Sequence, residues 1–234
     1  MNECHTSGHN GFVPQIVVLK TCHEFMKNYS YLIVDTGSRQ AVIVDPAWEM
    51  EKIDAGLVAT QARLCGVLIT HAHPDHIDLA EPIAEKYKCP IWMSKEEIAI
   101  SGFRAGQLTG IDAVPWAIGQ ILIEPILTPG HTAGSLCYLI ADNLFTGDVL
   151  FAEGCGICRD IPAAHAMFAS LETLKRRLRP ETCIFPGHSY GKPPGQRFSQ
   201  ILKHNLYLQF LDKESFAAFR LRSGQNLAKM FNFS

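Results

Sequence analysis

The sequence predicts an α/β fold with two packed β-sheets flanked by helices. Short apolar segments rich in β-branched residues recur along the chain, which is typical of buried strands. Segments with helical spacing follow them. This order of strands and then helices occurs once in each half of the chain, and it favours two sheets with helices on their outer faces.

The first half begins with three predicted strands, at residues 16–19, 31–35 and 41–45. Turn residues at 36–40 join the second and third strands into a predicted hairpin. A helix is then predicted over residues 49–62. The elements that follow are a strand at 66–70, a helix at 79–88, a strand at 89–94, and a short helix with an irregular segment up to residue 119.

The second half repeats the pattern. Its predicted strands are residues 121–128, 135–140, 143–148 and 182–188. An amphipathic helix over residues 167–178 ends in Lys and Arg, which suit a helix C-terminus. From residue 196 onward the spacing is helical.

The length of 234 residues fits one domain, which we expect to comprise a core over residues 1–190 and C-terminal helices over 196–234 packed on it. Hydrophobic residues make up 47% of the chain, enough for a sizeable core. The net charge of −2 argues against nucleic acid or an anionic membrane as a partner. A polar N-terminus without a secretory pattern, and apolar runs too short to span a bilayer, predict a soluble cytoplasmic protein.

The stretch THAHPDHI, residues 70–77, concentrates three histidines and an aspartate just past a buried strand. His71 and His73 are two apart, so in an extended segment both rings point the same way. Asp75 and His76 follow where the chain turns into the next helix and can face a second, nearby location. The loop therefore offers two sets of metal ligands.

Three further motifs place a polar residue after glycine at the end of a strand. They are TPGH with His131, FTGD with Asp148 and FPGH with His188. Imidazole suits zinc, iron and copper, and a carboxylate suits a position between two cations. A single histidine is usually a satisfied core or surface residue, but this combination predicts a metal site.

The ordered set THAHPDH, TPGHT, FTGD and FPGH resembles the metallo-β-lactamase superfamily. The resemblance implies an αββα sandwich with the metals at one edge. It also implies a first metal held by His71, His73 and His131, a second held by Asp75, His76 and His188, and Asp148 between them. The cofactors implied are two divalent ions, with Zn²⁺ expected and Fe or Mn as alternatives.

Within the superfamily, FTGDVLFAEGCG resembles the glyoxalase II branch, which hydrolyses S-acylglutathione. The positions that help that branch to hold glutathione are occupied here by Ile157 and Arg159, and the tyrosine after the last histidine is kept as Tyr190. These three residues are the candidate substrate-binding residues. The string EGCGICRD resembles the zinc hydrolases of bacterial trans-acyltransferase polyketide biosynthesis, which remove acyl groups from an acyl carrier protein.

The function expected from this resemblance is thioester hydrolysis. Two cations that share a water lower its pKa and make hydroxide available at neutral pH. We expect Asp75 to be catalytic, by orienting that hydroxide towards the thioester carbonyl. The alternatives are a hydroxyacylglutathione hydrolase and a mononuclear iron persulfide dioxygenase that uses His71, His131 and Asp148.

Two further patterns carry weaker signals. Cys155 and Cys158 form a C-x-x-C among glycines, which favours buried thiols over a redox pair. The C-terminal helices carry Tyr207, Phe210, Arg220 and Arg222, which are candidate docking residues for an acidic carrier protein. For these C-terminal helices, the preferred interpretation is an ordinary amphipathic helix with solvated cations.

Overall fold

The structure, a computed structural model, describes residues 12–24 and 26–223. The strands are β1 (Gln15–His23), β2 (Met26–Asp35), β3 (Gln40–Val44), β4 (Arg63–Leu68), β5 (Ile91–Ser94), β6 (Leu108–Ile111), β7 (Trp116–Ile118), β8 (Ile121–Leu127), β9 (Leu136–Ile140), β10 (Asn143–Gly147), β11 (Cys183–Pro186) and β12 (Gln196–Arg197). The α-helices are α1 (Met50–Thr60), α2 (Pro74–Ile77), α3 (Ala80–Tyr87), α4 (Lys95–Ser101), α5 (Ile161–Arg177), α6 (Phe198–His204) and α7 (Lys213–Arg220), and a 3₁₀ turn covers Leu206–Leu208.

The strands form two six-stranded sheets, as the alternation of strands and helices predicts. The first sheet has the order β1-β2-β3-β4-β5-β6, and the second has the order β12-β11-β10-β9-β8-β7. The predicted hairpin is present, because β2 and β3 pair in antiparallel register. The strands β3 and β4 are parallel, and so are β10 and β11.

Apolar side chains fill three layers. The inner faces of the two sheets share a core that includes Tyr31, Leu68, Tyr138 and Phe145. The outer face of the first sheet packs on α1 and α3. The outer face of the second sheet packs on α5, α6 and α7. The order of layers is therefore helix, sheet, sheet, helix, which confirms the predicted αββα sandwich.

The structure differs from the sequence predictions at several boundaries. Two short strands, β6 and β7, lie where a short helix and an irregular segment were expected. The helix α5 begins at Ile161 rather than at residue 167, because the Asp160 side chain caps it by accepting the Ala163 N–H at 2.8 Å. Residues 196–197 form β12 before the C-terminal helices begin, and residues 224–234 of that predicted segment lie outside the described residues.

No helix in the described part of the chain is long and apolar enough to cross a bilayer. The features that matter most for function are at the edge where β3, β4, β8, β10 and β11 all end. Two backbone hydrogen bonds join the sheets there, from Leu136 N to Thr70 O and from Tyr29 N to Gly187 O, both at 2.9 Å.

Two buried tyrosines also tie the sheets together across the inner core. The Tyr31 hydroxyl on β2 donates to the carbonyl of Pro186 on β11 at 2.5 Å. The Tyr138 hydroxyl on β9 donates to the carbonyl of Ile69 at 2.9 Å. Both acceptors lie one or two residues before a loop with candidate site residues, so these bonds link the packing of the core to the position of those loops.

The variant Tyr31→Phe tests this link. Removing the hydroxyl leaves a buried carbonyl unpaired, which costs about 1–3 kcal/mol of the free energy of unfolding. Urea denaturation measures the difference. Tyr87→Phe is the matched control, since Tyr87 donates to Asp54 at the edge of α3 and not between the sheets. Equal losses for both variants would contradict a special role for the inter-sheet bond.

Candidate metal centre

All seven predicted ligand side chains come together in one cluster at the shared edge of the sheets. Their donor atoms form overlapping groups in which every atom lies within 4.8 Å of the others. The loop after β4 supplies four of the seven side chains, and the loops after β8, β10 and β11 supply one each. The groups are His71, His73 and His131; His71, His76 and Asp148; and Asp75, His76 and His188.

The first group consists of three imidazoles. The Nδ1 atom of His73 lies 3.0 Å from Nε2 of His71 and 2.9 Å from Nε2 of His131. The ring planes of these histidines are close to perpendicular to one another, at 82–86°. Three nitrogen atoms therefore meet at one point without stacking of the rings.

Asp148 joins this group to the second. Its Oδ2 lies 3.5 Å from Nε2 of His131. Its Oδ1 lies 3.4 Å from Nε2 of His76 and 3.5 Å from Nε2 of His188. Asp75 closes the second group, with Oδ2 3.3 Å from Nε2 of His188. The two oxygens of Asp148 thus face different donor groups, which is the arrangement of a bridging carboxylate.

Hydrogen bonds at the second ring nitrogen fix the orientation of three histidines. His131 Nδ1 donates to the Ile157 carbonyl at 2.9 Å, and His188 Nδ1 donates to the Lys27 carbonyl at 3.0 Å. His71 Nδ1 lies 3.0 Å from Thr70 Oγ1. A proton on each Nδ1 in these bonds turns the Nε2 atom of the same ring into the cluster.

Asp45 holds two of these rings. Its Oδ2 accepts from Nδ1 of His76 at 2.9 Å and from Thr70 Oγ1 at 2.6 Å, and Thr70 Oγ1 in turn accepts from His71. Its Oδ1 accepts the Thr70 backbone N–H at 2.8 Å. Asp45 follows β3 in the left-handed backbone region, with φ of 48°, which turns its carboxylate towards the neighbouring loop.

Glycines let the loops approach one another closely. A Cβ on Gly147 would lie 2.2 Å from Thr70 Oγ1, and the residue has a φ of +47°. A Cβ on Gly187 would lie 2.6 Å from Cε1 of His76 and 2.7 Å from Oδ1 of Asp148. Gly147 and Gly187 are therefore required for ligand loops from both sheets to meet.

The electrostatics differ between the two groups. Burial lowers the pKa of His71 well below its usual value and lowers the pKa of His73, so both rings are neutral. Burial also lowers the pKa of His76, but Asp148 and Asp45 outweigh it and hold that pKa well above normal. For His188, burial is likewise outweighed, chiefly by Asp148, and the pKa rises to about 9. The carboxylates beside His76 and His188 therefore stabilise positive charge at this end of the cluster.

The donor set fits divalent cations. His71 and His131 direct their Nε2 lone pairs at His73 Nδ1, and a single proton on that atom can satisfy only one of the two. His76 Nε2 and Asp148 Oδ1 are buried without a hydrogen-bond partner. Buried polar atoms of this kind are costly unless paired or bound to a metal. Imidazole and carboxylate are also the donors that zinc accepts.

The three predicted substrate-binding residues have different surroundings. The Ile157 side chain is 39% exposed, and its carbonyl contacts His131. Tyr190 packs edge-on against Phe151 with ring centroids 5.3 Å apart. The pKa of its phenol is raised, mainly by burial and to a smaller extent by the negative charge of Asp148. The Arg159 side chain is 86% exposed and pairs with Asp160. The structure thus places Ile157 and Tyr190 near the metal cluster. The Arg159 side chain extends into solvent, and its described ion pair is with Asp160 and not with the cluster.

Cys155 and Cys158 belong to the core between the second sheet and its helices. Burial raises the pKa of both thiols, to about 11 for Cys158. Thiols that stay protonated at neutral pH are poor nucleophiles, in agreement with the buried role expected for this pair.

Arg220 corrects the expectation of solvated cations on the C-terminal helix. It is 3% exposed, and its Nε donates to the Gly156 carbonyl at 2.9 Å while Nη1 donates to the Tyr207 hydroxyl at 3.1 Å. Helical spacing did not reveal this, because the partner is a distant loop. Arg222 is exposed, as expected, and lies 3.7 Å from the centre of the Phe219 ring.

Sequence reasoning missed three residues that support the cluster. Asp45 is one, although it ends a buried strand in the same way as the recognised ligands do. Asn28 is another, and its Nδ2 donates to the backbone oxygen and Oδ2 of Asp75 at 2.6 and 3.1 Å. Glu97 is the third, in a segment without a clear pattern. For Asn28 and Glu97 the sequence holds no signal of these contacts, since the partners are 47 and 25 residues away along the chain.

A family model described as the metallo-beta-lactamase superfamily matches residues 24–188, the segment that contains every member of the cluster. The chain belongs to the metallo-β-lactamase superfamily. A solved structure of a metallo-beta-lactamase has the same fold as this chain. A crystal structure of a metallo-beta-lactamase from Staphylococcus aureus covers 90% of this chain with 67% of its own length, at a TM-score of 0.81 and 22% identity.

Curated relatives share more of the sequence. The chain is 44% identical over 209 residues to the "Probable polyketide biosynthesis zinc-dependent hydrolase BaeB" of Bacillus velezensis and 42% identical to PksB of Bacillus subtilis, which has the same description. Each match covers 88% of this chain and 93% of the relative. A hydroxyacylglutathione hydrolase of Alkalilimnicola ehrlichii is 35% identical over 167 residues, which are 71% of this chain and 63% of that enzyme.

The variant Gly187→Ala tests whether the close approach of the loops sustains metal binding. The added methyl group meets His76 and Asp148, so we expect zinc affinity to fall by at least about tenfold, as when a supporting group of a metal site is lost. Competition with a chromophoric chelator measures the affinity. Gly106→Ala is the control, because a Cβ there meets nothing within 4 Å. Unchanged affinity in Gly187→Ala would show that the cluster is not the metal site.

Proposed function

We propose that this chain is a zinc-dependent thioester hydrolase that removes acyl groups from the phosphopantetheine arm of an acyl carrier protein in polyketide biosynthesis. The observation that carries the proposal is the pair of donor groups joined by the two oxygens of Asp148. Two relatives above 40% identity, both described as probable zinc-dependent hydrolases of polyketide biosynthesis, support the substrate class.

In this proposal the cluster holds two divalent cations. His71, His73 and His131 would hold the first, Asp75, His76 and His188 would hold the second, and Asp148 would serve both. The neutral rings of the first group support the assignment because they present lone pairs, and the ionised carboxylate of Asp148 presents negative charge to both groups. When bound, the cations would lower the pKa of a water and polarise the substrate carbonyl.

Asp75 is the proposed catalytic residue. Burial raises the pKa of its carboxyl, but the hydrogen bond from His188 and the charge of His76 outweigh this, so the pKa lies well below its usual value. The carboxylate is therefore ionised. Asn28 Nδ2 donates to its Oδ2 at 3.1 Å and to the Asp75 backbone carbonyl at 2.6 Å, which fixes its position. An ionised, fixed carboxylate beside the reacting centre can accept a hydrogen bond from the attacking water and orient it.

The residues beside the cluster suit a long thioester. Ile157 presents a partly exposed apolar side chain next to His131, at a position where the glyoxalase II branch carries a basic residue. Tyr190 keeps its proton at neutral pH and can donate a hydrogen bond to the substrate arm. The leaving thiol has a pKa of about 8.5, so it departs as a thiolate with little help from an acid.

The second candidate is a hydroxyacylglutathione hydrolase, favoured by the 35% identity to such an enzyme. It shares the chemistry and differs in the thiol. An iron persulfide dioxygenase with one metal is the third. The second donor group of Asp75, His76 and His188 argues against it, because a single metal leaves those donors without a cation.

The proposal is tested by incubating the zinc-loaded protein with acyl-carrier, acyl-glutathione and acyl-coenzyme A thioesters and following each by mass spectrometry. We expect the free carrier thiol to appear fastest. Release from glutathione alone would establish the second candidate, and oxygen consumption with a persulfide would establish the third.

The matched variants Asp75→Asn and Asp78→Asn test the catalytic residue. The two aspartates are three residues apart, and Asp78 is exposed and contacts Trp48 N instead of the cluster. We expect thioester turnover to fall about 10²-fold or more in Asp75→Asn, since its carboxylate orients the nucleophile, and to stay near the unsubstituted rate in Asp78→Asn. Full turnover in Asp75→Asn would rule out the hydrolytic mechanism.

A further inference from the structure

A buried carboxylate outside the ligand set joins the two loops that carry the first donor group. The Glu97 side chain lies at the start of α4, and the residue is 2% exposed. Its Oε1 accepts the backbone N–H of Ala72, the residue between His71 and His73, at 2.9 Å. Its Oε2 accepts from Thr132 Oγ1 at 2.6 Å and from Gly134 N at 3.2 Å.

The helix does not need this carboxylate for its own cap. The sequence SKEE has the spacing of a capping box, in which the glutamate would reach back to the N–H of the capping serine. Ser94 does cap α4, since its Oγ accepts the Glu97 N–H at 2.9 Å. The Glu97 carboxylate turns away instead, towards the two loops. Ser94 Oγ also donates to the Gly134 carbonyl at 2.6 Å, so the N-terminal end of α4 makes three hydrogen bonds to the His131 loop.

The approach between helix and loop is as close as the backbone permits. A Cβ on Gly134 would lie 2.2 Å from Glu97 N, so only glycine fits there. Hydrogen bonds to an ionised carboxylate are shorter and stronger than those between neutral groups, and a buried carboxylate that lacks them is costly. The side chain therefore sets the separation of the loops, with one oxygen on each.

We propose that Glu97 is a positioning residue that sustains metal affinity at His71, His73 and His131 and has little effect on the second donor group. This rests on the proposed function, in which those three histidines hold one of two metals. The second group has its own supports, namely Asp45 for His76, Asn28 for Asp75 and the Lys27 carbonyl for His188. None of these supports contacts Glu97 in the described hydrogen bonds.

The variant Glu97→Gln tests the proposal. It keeps the shape of the side chain but places an NH₂ group against an N–H or O–H donor, so one loop contact becomes repulsive. Glu96→Gln is the matched control, because Glu96 is the preceding residue on the same turn and is exposed. Zinc affinity is measured by competition with a chromophoric chelator in two backgrounds, His188→Ala, which weakens the second group, and His73→Ala, which weakens the first.

We expect Glu97→Gln to lower zinc affinity about 10–100-fold in the His188→Ala background, in the range observed when a supporting group of a metal site is lost. In the His73→Ala background we expect less than about a twofold change, and Glu96→Gln should be neutral in both. Equal losses in the two backgrounds would reduce Glu97 to a general structural residue and overturn the proposal. Unchanged zinc affinity of Glu97→Gln in both backgrounds would also overturn the proposal.

A second pair of variants guards against a fold defect in Glu97→Gln. Thr132→Val removes the donor to Glu97 with little change of shape, and Thr132→Ser keeps it. We expect the valine variant to lose affinity in the His188→Ala background and the serine variant to retain it. Zinc binding by the unsubstituted protein separates the two proposals. If that protein binds zinc, but Glu97→Gln and Thr132→Val bind it as tightly as their matched controls, the Glu97 role alone is wrong. If it binds none, the metal proposal is wrong as well.

Discussion

The convergence of five imidazole rings and two carboxylates on one small volume is the constraint on which the rest of this structure depends. Lone pairs and negative charges that face one another repel, and burial strengthens that repulsion because the local dielectric is low. The rings are nevertheless held inward by hydrogen bonds that their outer nitrogens donate. The clearest are the bond from His76 to Asp45 and the bond from His71 to Thr70, whose hydroxyl donates to Asp45 in turn. Such an arrangement is favourable when cations bind at its centre, and the supporting bonds keep the donors pre-organised for them.

The two sheets share this site. The loop after β4 in the first sheet supplies His71, His73, Asp75 and His76, while the second sheet supplies His131, Asp148 and His188. The distance between the donor groups is therefore set by how the sheets pack. The tyrosine bonds across the core and the close glycine contacts at the edge act on stability and on site geometry at once. Core packing and metal binding are two consequences of the same inter-sheet contact.

The sequence predicted the layers and the cluster because both leave local signals. Alternating apolar strands and helices are read from spacing, and the motifs at residues 70–77, 128–131, 145–148 and 185–188 place polar residues at the ends of strands. The contributions of Asn28, Glu97 and Arg220 could not be read in the same way, since each acts on a partner 25 or more residues away. The short strands β6 and β7 were missed because four and three residues carry too little periodicity to distinguish a strand from a loop.

The most direct test of the central claim is the distance between metal ions in the zinc-loaded protein, measured by X-ray absorption spectroscopy at the zinc edge. If both donor groups hold a cation and Asp148 contacts the two, the spectrum contains a zinc–zinc vector of about 3.5–4 Å, the separation typical of two-metal hydrolytic sites. A spectrum with nitrogen and oxygen ligands but no metal neighbour, at two equivalents of zinc, would contradict the account.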